Sequence, residues 1–300
     1  MDAPLDVGRL RLLSEVAHRG SIAGAAREVG LTSSAVSQQL AILEREAGIP
    51  LLDRSPRGVL LTGAGQALVV RARAILGLLE EARADLDRLT GELAGRVRIG
   101  TVASAAASLV SSAATRLLAE HTELELTVTV AEPGTSINQL TDGNLDVAVV
   151  DVYDGVPVPV PDHMAAVELT TEPLVVVAAP GAVPAGPLTL AALDDADWVM
   201  PPLAAACGQA VRFACRAEGF EPRVRWETDD MLLLVRAVAA GHGIAVLPRL
   251  AVADNVAEVE LRPLTAPRMN RRLIALTRTS SQARPVVRAV LAELVKAAGD

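Results

Sequence analysis

Aromatic residues are scarce in this 300-residue chain: two tryptophans, two phenylalanines and Tyr153 alone. Cysteine is scarcer. Cys207 and Cys215 form no CxxC pair, and His18, His121, His163 and His242 are scattered. Metal sites need such ligands at close spacing, so neither a metal nor a cofactor is expected. A GxSxG nucleophile elbow is missing too, and no enzymatic role is expected. No apolar run approaches the ~18 residues that a membrane-spanning helix needs. The opening MDAPLDVGRL lacks a basic-then-apolar signal pattern, so a cytoplasmic protein is expected. Lysine is confined to Lys296, which with the alanine excess speaks of a GC-rich genome rather than of a function. Positive charge is also short: the net charge is -8, against the strong nonspecific grip on polyanions that a basic surface gives.

What is present suits a folded chain of about two domains. Half the residues are apolar, 51%, and 21% are charged, enough for a sizeable core and unlike a disordered chain. The most informative stretch runs from Leu10 to Gly65. Asp6 is placed to cap a first helix with Leu10, Leu13, Val16 and Ala17 on one face and Gly20 at its end. Ser21 caps a second, carrying Ile22, Ala25, Ala26 and Val29 before Gly30. Thr32 or Ser33 caps a third, with Val36, Leu40 and Leu43 inward. The short glycine-bearing gap before the third is the sequence form of a helix-turn-helix, whose second helix enters the DNA major groove. After Gly48, short strands at Ile49 to Asp53 and Val59 to Leu61 flank Arg54-Ser55-Pro56-Arg57-Gly58, a wing, and Thr62 caps another helix. Seven arginines and seven acidic residues leave positions 1–62 near neutral, which still permits groove reading by helix amino termini and a few arginines.

No proline interrupts Gly63 to Leu93. Leu68, Ala72, Ile75, Leu79, Ala82, Leu86, Leu89 and Leu93 alternate at spacings of four and three, a heptad seam. The same helix of a second subunit is the expected cover, with packing against its own domain as the alternative. Beyond Gly95, strands alternate with helices, which implies parallel sheets. The strands are expected at Val97 to Val102, Leu124 to Val130, Leu145 to Val150, Ala165 to Leu169, Leu174 to Ala179, Trp198 to Met200, Val224 to Glu227, Ile244 to Leu247, Val259 to Leu261 and Leu273 to Thr277. They divide into two α/β units, crossed near Glu168 to Glu172 and near Leu261 to Pro267, with a ligand cleft between them.

Ser21, Ala25-Ala26, Ala35-Val36-Ser37, Leu43-Glu44, Gly48, Leu51, Arg54, Leu61-Thr62 and Ala64-Gly65 stand in the order and spacing of the LysR-type transcriptional regulators, which this chain resembles. Leu13, Ile22 and Leu52 replace frequent phenylalanines, swaps a core tolerates. Ser33 and Gln38 replace frequent glutamine and arginine, which bears on the DNA sequence preferred. The resemblance implies an α/β protein: a winged helix-turn-helix (1–62), a linker and dimerisation helix (63–93), and an effector-binding domain (94–300) similar to type 2 periplasmic binding proteins. Lobe I would cover about 94–168 and 267–300, and lobe II about 169–266. It also implies a bacterial, nucleoid-associated regulator that binds promoter DNA as a homodimer or homotetramer, away from membranes, and answers a small-molecule effector such as a carboxylate.

Candidate DNA contacts are Ser33, Ser34, Ser37, Gln38 and Gln39 on the third helix, since glutamine pairs with adenine and serine reaches bases or phosphates. Capping and solvent exposure are the alternative, and Glu44 reads as structural. Arg54 and Arg57 are the wing's phosphate or minor-groove candidates, with an acid inside the domain as the other partner for Arg54. Effector candidates are Thr101 and Ser104, which lead into a helix amino terminus suited to an anion, then Pro202, Cys207 and Thr228. These match positions where the family binds small molecules; helix capping is the alternative for each. Ala204-Ala205-Ala206 suggests a pocket with few polar handles. Some peroxide-sensing relatives carry a cysteine pair in this region, so a thiol-responsive regulator using Cys207 and Cys215 is a second reading. On one helix the two would lie ~12 Å apart along the axis, too far for a disulfide. Cys207, at a helix amino terminus, is expected to be the more acidic. A small-molecule binder or enzyme built on the lobes is a third reading.

Overall fold

The computed structural model describes residues 5–55, 58–90, 93–252 and 258–299, with backbone alone at 54, 55, 58 and most positions from 80 to 90. The chain forms two compact units, Met1–Thr90 and Gly91–Asp300.

In the first unit, α1 (Val7–Arg19), α2 (Ile22–Glu28) and α3 (Ser33–Ala47) begin at Asp6, Ser21 and Thr32, whose side chains accept the backbone N–H groups of Arg9, Gly24 and Ala35. Each cap satisfies a donor that the first helical turn leaves without a partner. Gly20 and Gly48 take left-handed backbone past α1 and α3, with φ of 65° and 67°, which glycine adopts without steric cost. Leu10, Leu13, Val16, Ala25, Ala26, Val36, Leu40 and Leu43 close one core with Leu51 and Leu52. β1 (Leu52–Ser55) and β2 (Gly58–Leu61) pair antiparallel, Leu52 opposite Leu61. The first wing strand starts at Leu52 rather than Ile49, because Glu44 takes the N–H groups of Leu51 and Leu52.

α4 (Gly63–Thr90) follows a Thr62 cap whose hydroxyl accepts from Gly65 N–H. At 1.5 Å per residue it spans about 42 Å. Its seam divides. Ala72 is buried in the head's own core and Leu68 packs there, whereas Ile75, Leu79 and Leu86 are exposed, as is Ala82. The side chain of Leu89 lies outside the described residues, and Leu93 packs against a core of the second unit instead of extending the helix. Among the described side chains, packing against its own domain therefore accounts for the first turns alone. No helix among the described residues is long and apolar enough to cross a membrane.

The second unit has two lobes. In the first, β3 (Gly95–Thr101) lies parallel to β4 (Leu124–Val130) and β5 (Val147–Tyr153). α5 (Ala103–Ala105) and α6 (Ser111–Glu120) run together through a π-helical turn at Ala106–Val110, and α7 (Pro133–Thr141) follows. The strands expected at Ala165 to Leu169 and Leu174 to Ala179 are one, β6 (Met164–Ala178). Pro173 does not break it because the strand changes partners there: it pairs with β12 (Asn270–Arg278) up to Pro173, then with β10 (Ala245–Pro248) and β11 (Glu260–Ala266) from Leu174. β12 lies between β5 and β6, antiparallel to both, so this sheet is mixed rather than wholly parallel. A strand that returns from the other lobe enters in the opposite direction. The closing helix α10 (Pro285–Gly299) buries Val286, Val287, Val290 and Leu294 with β3 and α6 residues.

The second lobe places β7 (Leu188–Thr189) beside β11, and β8 (Asp197–Met200) parallel to β9 (Arg223–Glu227). α8 (Ala206–Ala217) and α9 (Met231–Ala239) cover a core that holds Trp198.

Candidate functional site

The α2–α3 turn fixes how α3 is presented. Thr32 is the cap, which leaves Ser33 in the first helical turn. Ser33, Ser34 and Gln38 are exposed and Ser37 is half-buried, whereas Val36, Leu40 and Leu43 are buried. Gln39 has a partner within its own domain. Its Oε1 accepts from Arg9 Nε at 3.0 Å, and Arg9 also pairs with Glu46, so Gln39 is turned toward its own domain. The Arg54 side chain and all of Arg57 lie outside the described residues; the backbone pairs Arg54 with Val59.

Glu44 fixes the wing to α3. Its Oε1 accepts Leu51 N–H at 2.8 Å and Leu52 N–H at 3.0 Å. Glu44→Ala strands both donors at the edge of the core and is expected to cost about 1–3 kcal/mol. Thermal unfolding of the full chain should show the lower midpoint.

The second site lies between the lobes of the second unit. A cavity of about 170 Å³ is lined by Val102, Ser104, Glu132, Asp151 and Tyr153 from one side and by Ala205, Cys207, Asp229 and Met231 from the other, with Arg271. It shares Ser104, Asp229 and Met231 with a wider groove of about 790 Å³ along Leu232, Val235 and Leu250, and Glu132 with a third of about 690 Å³ along Pro133 and Ala206.

Arg271, at the start of β12, is 1% exposed. Its Nε donates to Glu172 Oε1 at 2.9 Å, its Nη2 pairs with the same oxygen, and its Nη1 donates to Ser104 Oγ at 2.7 Å. Asp151 Oδ2 stands 3.5 Å from Nη1. Glu172 Oε2 accepts Leu250 N–H at 2.7 Å, so one ion pair ties the crossing strands to both lobes. Burial raises the Asp151 carboxyl above its ordinary range, with Arg271 opposing. Partial burial likewise raises Glu132, against a hydrogen bond from Ala206 N–H. Tyr153 is pushed well above 10 by burial.

The sequence candidates divide accordingly. Ser104 and Cys207 line the cavity. Thr101 is fully buried, with its hydroxyl on Val102 O at 3.4 Å. Pro202 O accepts Ala205 N–H, and Thr228 Oγ1 accepts Asp230 N–H, so both serve local turns. The run Ala204-Ala205-Ala206 does not set the cavity's character. Asp151, Tyr153, Glu132, Asp229 and Arg271 do, and sequence reading missed all five. The available signal was an acid directly after the buried strand run Val147 to Val150, where an unpaired charge is costly.

The thiols are also placed otherwise than expected. Cys207 is not the more acidic. Burial pushes both Cys207 and Cys215 up to about 12, which removes the thiolate that oxidant sensing uses. Both lie in α8 and neither is bonded to the other.

A winged helix-turn-helix followed by a two-lobed α/β unit with a cleft defines the class of DNA-binding regulators with a ligand-binding domain. The chain matches the model of the bacterial regulatory helix-turn-helix protein, lysR family, over residues 7–66, and that of the LysR substrate binding domain over residues 90–299. It belongs to the LysR family of transcriptional regulators. It is 30% identical to the HTH-type transcriptional regulator CbbR of Rhodospirillum rubrum, covering 99% of this chain and 98% of that one. It is also 30% identical to GbpR of Azospirillum brasilense, over 83% of this chain and 73% of that one. In fold it is similar to a full-length OxyR variant from Pseudomonas aeruginosa, with a TM-score of 0.75, 20% identity, and 99% and 95% of the two chains covered. ArgP from Mycobacterium tuberculosis gives a TM-score of 0.69 at 24% identity, with 98% of each chain covered.

Proposed function

We propose that this regulator grips a palindromic promoter element through two copies of α3 and is switched by a small molecule held between its lobes. It acts as a bacterial, cytoplasmic transcription factor and catalyses no reaction. The observation that carries the DNA reading is the division of labour on α3. Gln39 and Glu44 serve the domain's own structure, while Ser33, Ser34 and Gln38 are exposed and Ser37 half-exposed beside them. Arg54 and Arg57 on the wing would add phosphate or minor-groove contacts. CbnR, another structural neighbour, has been solved with its target DNA.

Pairing of the apolar stripe on α4 brings two heads onto one site. Effector binding changes the lobes' arrangement only if the two arrangements bind it with different affinity. Ser104 and Cys207, which line the cavity, are its proposed contacts, with Thr101, Pro202 and Thr228 as further candidates. The experiment is a titration of full-length protein against DNA from the region upstream of its own gene. Gln38→Ala with Ser37→Ala is expected to weaken specific binding by about 1–3 kcal/mol per lost base contact, at constant salt. Unchanged affinity and sequence preference in that variant would remove α3 as the reading element.

A further inference from the structure

The 170 Å³ cavity is lined by more negative than positive charge, Glu132, Asp151 and Asp229 against Arg271. Its cation, Arg271, is already matched: its three nitrogens face Glu172 and Ser104, with Asp151 Oδ2 close by. An incoming anion would have to displace these partners inside a buried cluster. Beyond the Arg271–Glu172 pair, Asp151, Glu132 and Asp229 remain along the same cavity, Glu132 from the first lobe and Asp229 from the second.

Asp151 adds an independent observation. It is 6% exposed and lines the cavity, yet its Oδ1 has no hydrogen-bond partner among the described residues. Its other contacts are Arg271 and the Tyr153 hydroxyl. A buried carboxylate oxygen with no donor is costly. A ligand that brings both a proton donor and a positive charge removes that cost. The cavity, about 170 Å³, is several times the ~30 Å³ that one water occupies in the liquid. The adjoining groove, lined by Leu232, Val235 and Leu250 along with Asp230 and Arg249, offers an apolar stretch for a short alkyl body.

We propose that the cleft takes a small organic ammonium compound, with its NH₃⁺ group on Asp151 Oδ1 between Glu132 and Asp229 and its alkyl part toward Leu232 and Val235. This rests on the reading of the cleft as the effector site, and it replaces the carboxylate that the helix amino terminus suggested. Ser104 Oγ, the expected anion contact, is the acceptor for Arg271 Nη1 instead.

The test is thermal unfolding of the full-length protein with probes of matched length: butylammonium, 1,4-diaminobutane, butyrate and 1-butanol. A ligand that binds only the folded state raises the midpoint in proportion to its occupancy. The two amines should raise it saturably, and butyrate and butanol should not. Asp151→Asn should weaken the amines roughly tenfold or more, the loss of a hydrogen bond to a charged group. Glu132→Gln, at the exposed mouth, supplies the same comparison with a several-fold loss should Asp151→Asn fail to fold. Stabilisation by butyrate instead, or by neither amine, overturns the ammonium assignment and leaves the cleft reading standing. Amine stabilisation that both variants leave unchanged places binding elsewhere and overturns the cleft reading as well.

Discussion

Asp146→Ala is expected to destabilise the second unit by about 3 kcal/mol, more than any other single polar change considered. Asp146 is 1% exposed and joins elements that are distant in sequence. Its Oδ2 accepts the Arg98 backbone N–H at 2.9 Å and Arg98 Nε at 3.2 Å, and its Oδ1 accepts Arg284 Nη1 at 2.7 Å. Arg278 Nη2 stands 3.9 Å away. The carboxylate thus pins β3, β5 and the approach to α10 around three guanidinium groups. Alanine would remove the buried carboxylate that these three guanidinium groups share. The figure stays at the low end for a buried pair because Arg98 keeps some contact with water. At roughly 2–4 °C per kcal/mol for a domain of this size, the midpoint should fall by about 6–12 °C.

The same group sets an acid limb. Burial alone would raise the Asp146 carboxyl, but Arg98 and Arg284 outweigh it and hold it below its ordinary value. A depressed folded value stabilises the protein above the unfolded value, near pH ~3.9, and is lost as pH falls through the folded one. Asp146→Asn should therefore be less stable than the wild type at neutral pH and lose less further stability on acidification. Urea unfolding at a series of pH values measures both. A variant that keeps the wild-type acid limb would assign that limb to other carboxylates.

Leu79→Glu combined with Leu86→Glu is the second large effect. Both leucines are exposed on α4, at 48% and 59%, while the first turns of the helix pack into the head. An apolar stripe of this length on one face is unfavourable in water and is relieved by a second copy. Opposed glutamates would abolish that pairing without touching either core. Two linked heads exceed one by ~10²–10⁴ in apparent affinity, so the variant should sediment more slowly and bind a two-half-site duplex 10²- to 10⁴-fold more weakly. Its affinity for a single half-site should not change. A variant that stays paired would move the interface to another surface.

The head was legible because its signals are local. Asp6, Ser21 and Thr32 cap the helices that their sequence context indicates, and Gly20 and Gly48 end two of them. The hidden features depend on partners far along the chain. Pro173 reads as a strand breaker until β6 is seen to exchange β12 for β10 and β11 beside it. Arg271 follows Asn270 and precedes Arg272, which reads as a polar strand end. It is buried because β12 returns to lie between β5 and β6. Cys207 does begin a helix, as expected, but under the second lobe's core, where desolvation outweighs any effect of the helix terminus. Ser104 likewise stands where its helix terminus indicates, but its bond to Arg271 depends on a strand far along the chain.

The central claim is that paired copies of α3 read a symmetric DNA element, and hydroxyl-radical footprinting of the upstream region with full-length protein tests it most directly. The account predicts two protected patches whose centres lie one helical turn, ~10 base pairs, or a multiple of it apart, both fading together in the Ser37→Ala, Gln38→Ala variant. A single patch, or two that persist in that variant, would contradict it.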